Sequence, residues 1–253
     1  MRSGAERIVY PILGTALILV MWQAACEIWK VPTAVLPSPM KVAEAFVARY
    51  DLIWSEFVVT LEETVYGFLL AVGIGIPIAV VVANFRRVNL MFYPILVALQ
   101  SVPKVALAPL VLVWLGTGLE SKLVIAWLVA FFPIVVDTAA GLRATPRELL
   151  ELARSLNASP LQVFLKVQFP AALPFVFTGA KVGVTLAVIG AVIGEFVSSS
   201  AGLGFLLLSA TSQVNTPLAF AALFALAALG ILTYLAVVGA ERLCARWLPA
   251  GHH

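Results

Sequence analysis

This sequence predicts an all-α integral membrane protein of six transmembrane helices with a short helix–turn–helix projecting from its inner face. Three observations carry that fold class. Of 253 residues, 62% are hydrophobic and only 11% charged, whereas soluble domains carry about 25% charged side chains. Mean hydropathy is +1.05, more apolar surface than a soluble domain of this size could bury. Apolar runs near or above the ~20 residues of a membrane-crossing helix recur along the chain, and one long polar segment interrupts them on the inner side. The net charge of +3 comes from thinly spread Lys and Arg, which argues against a nucleic-acid partner.

The first run, Ile8 to Trp29, exceeds the ~7–15 residues of a signal-peptide core and lacks an A-x-A site, so it reads as a retained span. Gln23-Ala24-Ala25-Cys26 faintly suggests a lipoprotein cleavage box, but Gln23 stands where an aliphatic residue belongs. Pro37-Ser38-Pro39 then opens a helix over Met40 to Phe57, whose mixed charges suit the outer surface ahead of Glu62 and Glu63. The remaining spans are Val65–Ala83, Val88–Leu115, Leu123–Leu142, Ala171–Gly194 and Pro217–Ala240. Phe196 to Thr216 carries no charge but many Ser, Thr and Gly residues; it is too polar for lipid and is expected at the outer mouth, packed on protein. The chain thus divides into an N-terminal part, 1–60, a five-helix core, 61–247, containing the inner segment 143–169, and a tail, 248–253.

Orientation follows from the Lys and Arg bias. With both termini inside, Arg2, Arg7, Arg86, Arg87, Arg143, Arg147, Arg154, Lys166, Arg242 and Arg246 face inward. Only Lys30, Lys41, Arg49 and Lys122 face outward, and Lys104 and Lys181 lie within spans. Cys26 and Cys244 then sit on opposite sides of a ~30 Å core, beyond disulfide reach.

The inner segment from Arg143 to Phe169 opens with Thr145-Pro146-Arg147-Glu148, the pattern of a capped helix start with Pro in the first turn. Beyond it, Glu148, Glu151 and Ser155 share one helical face, and Leu149, Leu152, Ala153 and Leu156 the other. Asn157 stands where a helix ends in a left-handed residue. Ser159-Pro160-Leu161-Gln162 repeats the opening pattern, so a second helix is expected from there toward Pro170. An amphipathic helix hides its apolar side in a partner's groove or at the lipid interface; docking into a partner and bracing against lipid are the two readings.

Glu151-Leu152-Ala153, Asn157 four residues on, and Val167-x-Phe169-Pro170 resemble the "EAA" loop of permease subunits of ATP-binding-cassette importers. That loop reads Glu-Ala-Ala, three residues, Gly, nine residues, Ile-x-Leu-Pro. The spacing matches throughout, with Leu152, Asn157, Val167 and Phe169 as departures. The resemblance extends from Leu61 to Trp247 and includes Phe131-Phe132-Pro133-Ile134 and Gly202-Leu203-Gly204. It implies a type I importer permease fold and a coupling contact from Glu148, Glu151, Leu152, Ala153, Arg154, Ser155, Leu156, Asn157, Ala158 and Ser159 to an ATPase subunit. It further implies two such ATPases, a second permease copy forming a homodimer, a periplasmic or lipid-anchored solute-binding protein, and a bacterial inner-membrane location. ATP and Mg would be held by the ATPase, with no cofactor on this chain.

Ser101-Val102-Pro103-Lys104 through Leu110, then Trp114-Leu115-Gly116, resemble the taurine, nitrate and sulfonate permease group. The Pro-Lys-x-Ala-Leu-Ala-Pro-Leu form is nearer members associated with thiamine-precursor pyrimidines, riboflavin or aromatic carboxylates.

The residues offer no catalytic set. Gly116 to Leu123 echoes a phosphate-binding loop, but Ser121 replaces its second glycine and Leu123 its Ser/Thr. The only histidines are His252 and His253, which excludes a Ser/His/Asp triad. An ion-coupled secondary transporter or channel is the rival reading, and it predicts inverted repeats and a dense set of midplane acids; the sequence shows neither.

Ionisable groups within spans are default functional candidates. Lys181, about ten residues into the fifth span, is expected near the midplane, either as a gate or inter-helix pair or as an attractor of anionic solute. Pro103 should bend or break the third span. Lys104 beside it either reads the solute or snorkels to the outer surface, with Gln100 and Ser101 lining the same kink. Asp137 and Glu195 are expected as partners of buried donors, Glu195 along the translocation path. Trp22, Trp29, Trp114, Trp127 and Trp247 are assigned to interfacial belts.

Overall fold

The computed structural model describes residues 6–244, apart from the side chains of residues 6–8, Arg154 and Ser198. The described residues form helices joined by loops and turns, with no strand among them. α1 (Glu6–Ile28) and α2 (Pro39–Ala48) precede α3 (Tyr50–Asn84), α4 (Arg86–Gln100), a 3₁₀ turn (Lys104–Leu107) and α5 (Ala108–Leu115). α6 (Leu119–Arg143), α7 (Arg147–Ser155) and α8 (Pro160–Val163) follow. A π-helical turn (Phe164–Gln168) then leads into α9 (Phe169–Ser198), α10 (Leu203–Ser212) and α11 (Thr216–Cys244).

Among the described residues five helices are long and apolar enough to cross a membrane, and a sixth span exists if α4 and the 104–115 segment count as one. The third predicted span is broken: its halves meet at 91°. Pro103 supplies the reason, since it has no N–H to donate and forces residue 102 out of helical geometry.

α6 lies at the centre, packed along its length between α9 and α3. The approach is close because small residues face each other at Ala126. A Cβ on Gly67 of α3 would stand 2.5 Å from the Ala126 Cβ, and one on Gly190 of α9 would stand 2.6 Å from the Ala126 Cα. Ile125, Ile134, Val135 and Ala139 are buried on the same helix. α10 and α11 form a second apolar body around Leu203, Leu206, Ala222 and Leu229. Among its described side chains α1 buries only Cys26, and both Cys26 and Cys244 are free thiols.

Several expectations change. The outer helix is α2 alone: Tyr50 to Phe57 belong to α3, which runs unbroken to Asn84, so the division at residue 60 falls inside a helix. No Pro or Gly interrupts residues 50–66, and Thr60, Glu63 and Thr64 of that stretch are buried against protein. Glu63 and Lys122, expected outside, form an ion pair of 2.8 Å with side-chain exposures of 1% and 10%. Trp22 packs on Phe220 and Phe224, and Trp127 on Phe131. The indole N–H groups of both tryptophans are buried, so neither belongs to an exposed belt, whereas Trp29 and Trp114 are exposed. The expected tail 248–253, Trp247 and the terminal histidines lie outside the described residues.

Candidate coupling surface and translocation path

The inner segment folds as one free-standing helix followed by an arm of the next span. Thr145 does not cap α7. Its hydroxyl donates to the Leu142 carbonyl, 3.0 Å away, and so closes the end of α6, while α7 begins at Arg147. Burial of Thr145 explains the choice, because a buried hydroxyl takes the nearest free carbonyl. Asn157 has φ +53°, and the Ala158 N–H donates to the Ala153 carbonyl at 3.0 Å, the bond of a left-handed helix terminus. At Ser159 a full capping box forms: its Oγ accepts from the Gln162 N–H at 3.3 Å, and its own N–H donates to Gln162 Oε1 at 2.9 Å. The second helix does not stop at Pro170. It passes through the π turn into α9, where Pro170 lies in the first turn and costs no hydrogen bond.

The apolar face of α7 is divided. Ala153 is buried, whereas Leu149, Leu152 and Leu156 are 44%, 57% and 72% exposed. Leu161 and Leu165 on the following arm are also exposed, and Glu148, Glu151, Ser155, Asn157 and Ser159 stand open around them, with Ala158 half-buried. Covering one such leucine is worth about 1.5–3 kcal/mol. A rigid row of several, framed by two carboxylates, has the composition of a docking face. The Arg154 side chain lies outside the description.

The candidate path residues do not converge. Gln100, Ser101 and Pro103 are exposed at the break. The Lys104 ammonium donates to the Gln100 carbonyl at 2.8 Å and sits 5.3 Å from the centre of the Phe132 ring. It therefore satisfies a carbonyl that the broken helix leaves free. Lys181 pairs with Glu241 of α11 at 2.5 Å, the inter-helix pair that is one of its expected readings, and Glu241 lies in the last described turn of α11. Asp137 is half-buried, with Gly179 of α9 against its Cβ.

Glu195 is fully buried at the opposite end of the molecule. It accepts from the Thr60 hydroxyl and from the Gly204 N–H, each at 2.6 Å. Thr60 Oγ accepts from the Leu203 N–H at 2.8 Å, and Glu56 accepts from the Gly202 N–H. The first amides of α10 are thus held by side chains of α3 and α9, as a helix N-terminus demands. Sequence reasoning missed Glu56, Thr60, Glu63 and Lys122. Their signal was the i, i+4, i+7 spacing of Glu56, Thr60 and Glu63, which puts the three on one helical face. A cavity of about 500 Å³ opens beside the ion pair, lined by Val59, Glu63, Thr117, Lys122, Ser199 and Ser200 among others. Among the described residues no cluster of His, Cys, Asp or Glu could hold a metal ion.

Known proteins resemble this chain in sequence and in fold. The chain is 39% identical over 248 residues to the riboflavin transport system permease protein RibX of Chloroflexus aurantiacus, covering 96% of this chain and 92% of that one. It is 37% identical over 231 residues to a probable ABC transporter permease protein of Haemophilus influenzae, covering 91% and 94%. The inward-facing MetNI methionine ABC transporter shares the fold, with a TM-score of 0.67 over 78% of this chain and 97% of that chain at 24% identity. Residues 71–246 match the family described as binding-protein-dependent transport system inner membrane component. With spans, broken helix and projecting α7 all in the expected order, the chain belongs to that family and is a permease subunit of an ABC importer.

Proposed function

We propose that the chain forms half of an import path for a small organic solute, works as a homodimer, and is driven through α7 by two ATPase subunits. The observation that carries the coupling assignment is the exposed row Leu149, Leu152 and Leu156 beside Glu148 and Glu151, on a helix pinned at its far end by Asn157 and the Ser159 capping box. Such a helix transmits force because its far end is held against fraying. ATP and Mg belong to the ATPase, and this chain hydrolyses nothing. A binding protein delivers solute at the end carrying α10, and both termini lie on the α7 side, the cytoplasmic face of a bacterial inner membrane. Nucleotide and loaded binding protein each bias a two-state equilibrium between inward-open and outward-open spans.

The solute is proposed from a group of candidates: a thiamine-precursor pyrimidine, riboflavin, an aromatic carboxylate, or a sulfonate such as taurine. Resemblance at Ser101–Leu110 supports the group, and Lys104 at the break is the residue proposed to read the solute. The test is reconstitution of the permease with its ATPase and binding protein in liposomes. Glu151→Arg should leave membrane insertion intact and abolish stimulation of ATP hydrolysis by the loaded binding protein. Stimulation and uptake that both survive would remove Glu151 from the contact. Uptake driven by an ion gradient without the ATPase would overturn the importer reading.

A further inference from the structure

α3 and α4 form a hairpin whose vertex is Phe85, at the same end as α7, because the Arg143 guanidinium donates to Asn89 Oδ1 at 3.2 Å and stacks over Tyr93 at 3.9 Å. The legs do not close on each other. Between them runs an open groove of about 340 Å³ in which Pro77, Ile78 and Val81 face Val88, Phe92 and Leu96, with no polar side chain in its wall. Its α4 side extends eight residues, about 12 Å at 1.5 Å per residue. Arg86 and Arg87 stand exposed at the vertex, and neither has a carboxylate partner among the described residues. A third cation, Arg143, lies one turn along.

We infer that this hairpin is a binding site for an anionic phospholipid, with the phosphate at Arg86, Arg87 and Arg143 and one acyl chain in the groove. Charge complementarity selects the occupant. The groove belongs to α3, which is long and apolar enough to cross a membrane, and to α4, which passes that test together with the 104–115 segment, and its wall is apolar throughout, so a water-soluble partner is disfavoured there. A second copy of the chain docked here across a two-fold axis would bring Arg86 and Arg87 toward their own images, and like charges so placed repel. A phospholipid alone supplies a diester oxyanion for the guanidinium forks and an apolar tail for the wall below them. The lipid would brace the hairpin whose far leg ends at the 91° break carrying Lys104, and so would steady one side of the path.

The test uses the purified full-length chain, delipidated in neutral detergent and titrated with dioleoyl phosphatidylglycerol or dioleoyl phosphatidylcholine, with bound lipid counted by native mass spectrometry. The phosphatidylglycerol should be retained in preference. Arg86→Gln with Arg87→Gln should weaken that retention about thirtyfold, to the phosphatidylcholine level. Val81→Trp, which fills the groove and spares the arginines, should weaken both lipids. Equal retention of the two lipids, or an arginine pair without effect, overturns the proposal. So does a Val81→Trp protein that holds phosphatidylglycerol as before, or displacement by free glycerol phosphate at matching concentration, since either leaves only headgroup attraction. Disulfide formation between two Ile78→Cys chains lacking Cys26 and Cys244 would assign the groove to a second copy instead. The arginines are exposed at a turn, so their loss spares the fold and the result stands even if Val81→Trp is unstable.

Discussion

Replacing Lys122 by Met isolates what the buried ion pair contributes. Lys122 Nζ lies 2.8 Å from Glu63 Oε1, and Glu63 keeps 1% side-chain exposure, so removing the ammonium leaves a carboxylate without water or counter-charge. Two magnitudes compete. The lost hydrogen bond by itself averages about 0.6 kcal/mol within membranes. An orphaned buried charge costs about 3–5 kcal/mol and therefore dominates. The expected destabilisation of Lys122→Met is about 3–5 kcal/mol, read by reversible unfolding in mixed micelles. Glu63→Leu should cost less, because Lys122 keeps the Glu195 carboxylate as a nearby counter-charge. The double variant Glu63→Leu/Lys122→Met should fall within about 1 kcal/mol of the starting protein, as apolar replacements of buried ion pairs commonly do. Strong non-additivity is the signature, since the two side chains touch. Additive single costs, or a Lys122→Met cost below about 1 kcal/mol, would show that water reaches the pair through the adjoining cavity and would refute the reasoning.

Two further outcomes test the backbone geometry. Asn157→Ala should destabilise the end of α7 by about 1–2 kcal/mol, the cost of a left-handed residue with an ordinary side chain, whereas Asn157→Gly should not. Both are scored by stimulation of the ATPase in the reconstituted complex and by thermal unfolding. Gly190→Leu should prevent accumulation of folded protein in the membrane, because its Cβ alone would stand 2.6 Å from backbone of α6. Gly239→Ala, with nothing within 4 Å, should be silent or slightly stabilising by the same assay. A folded Gly190→Leu protein would show that α6 and α9 separate readily.

Legibility varied with the range of the interaction involved. The helix end at Asn157 and the capping box at Ser159 depend on residues three to five apart, and both were readable. The break at Pro103 was readable for the same reason. Thr145 was misread although its pattern is local: whether a hydroxyl caps the following helix or closes the preceding one depends on burial that a four-residue pattern does not contain. The partner of Lys181 was not readable, because Glu241 is 60 positions away.

The sequence by itself determined that this chain crosses a membrane, where its spans lie and which segment projects from them. Hydropathy and local caps are properties of neighbouring residues, and lipid enforces them without reference to the fold. Only the tertiary structure decided which charges are sheltered. Glu63 finds Lys122, Glu195 finds Thr60 and Gly204, and the first amides of α10 find three different side chains, because α3, α6 and α9 approach closely enough to exclude water around them. That approach is set by Gly67, Ala126 and Gly190 meeting at one level, a coincidence across more than a hundred residues of chain that no local pattern encodes.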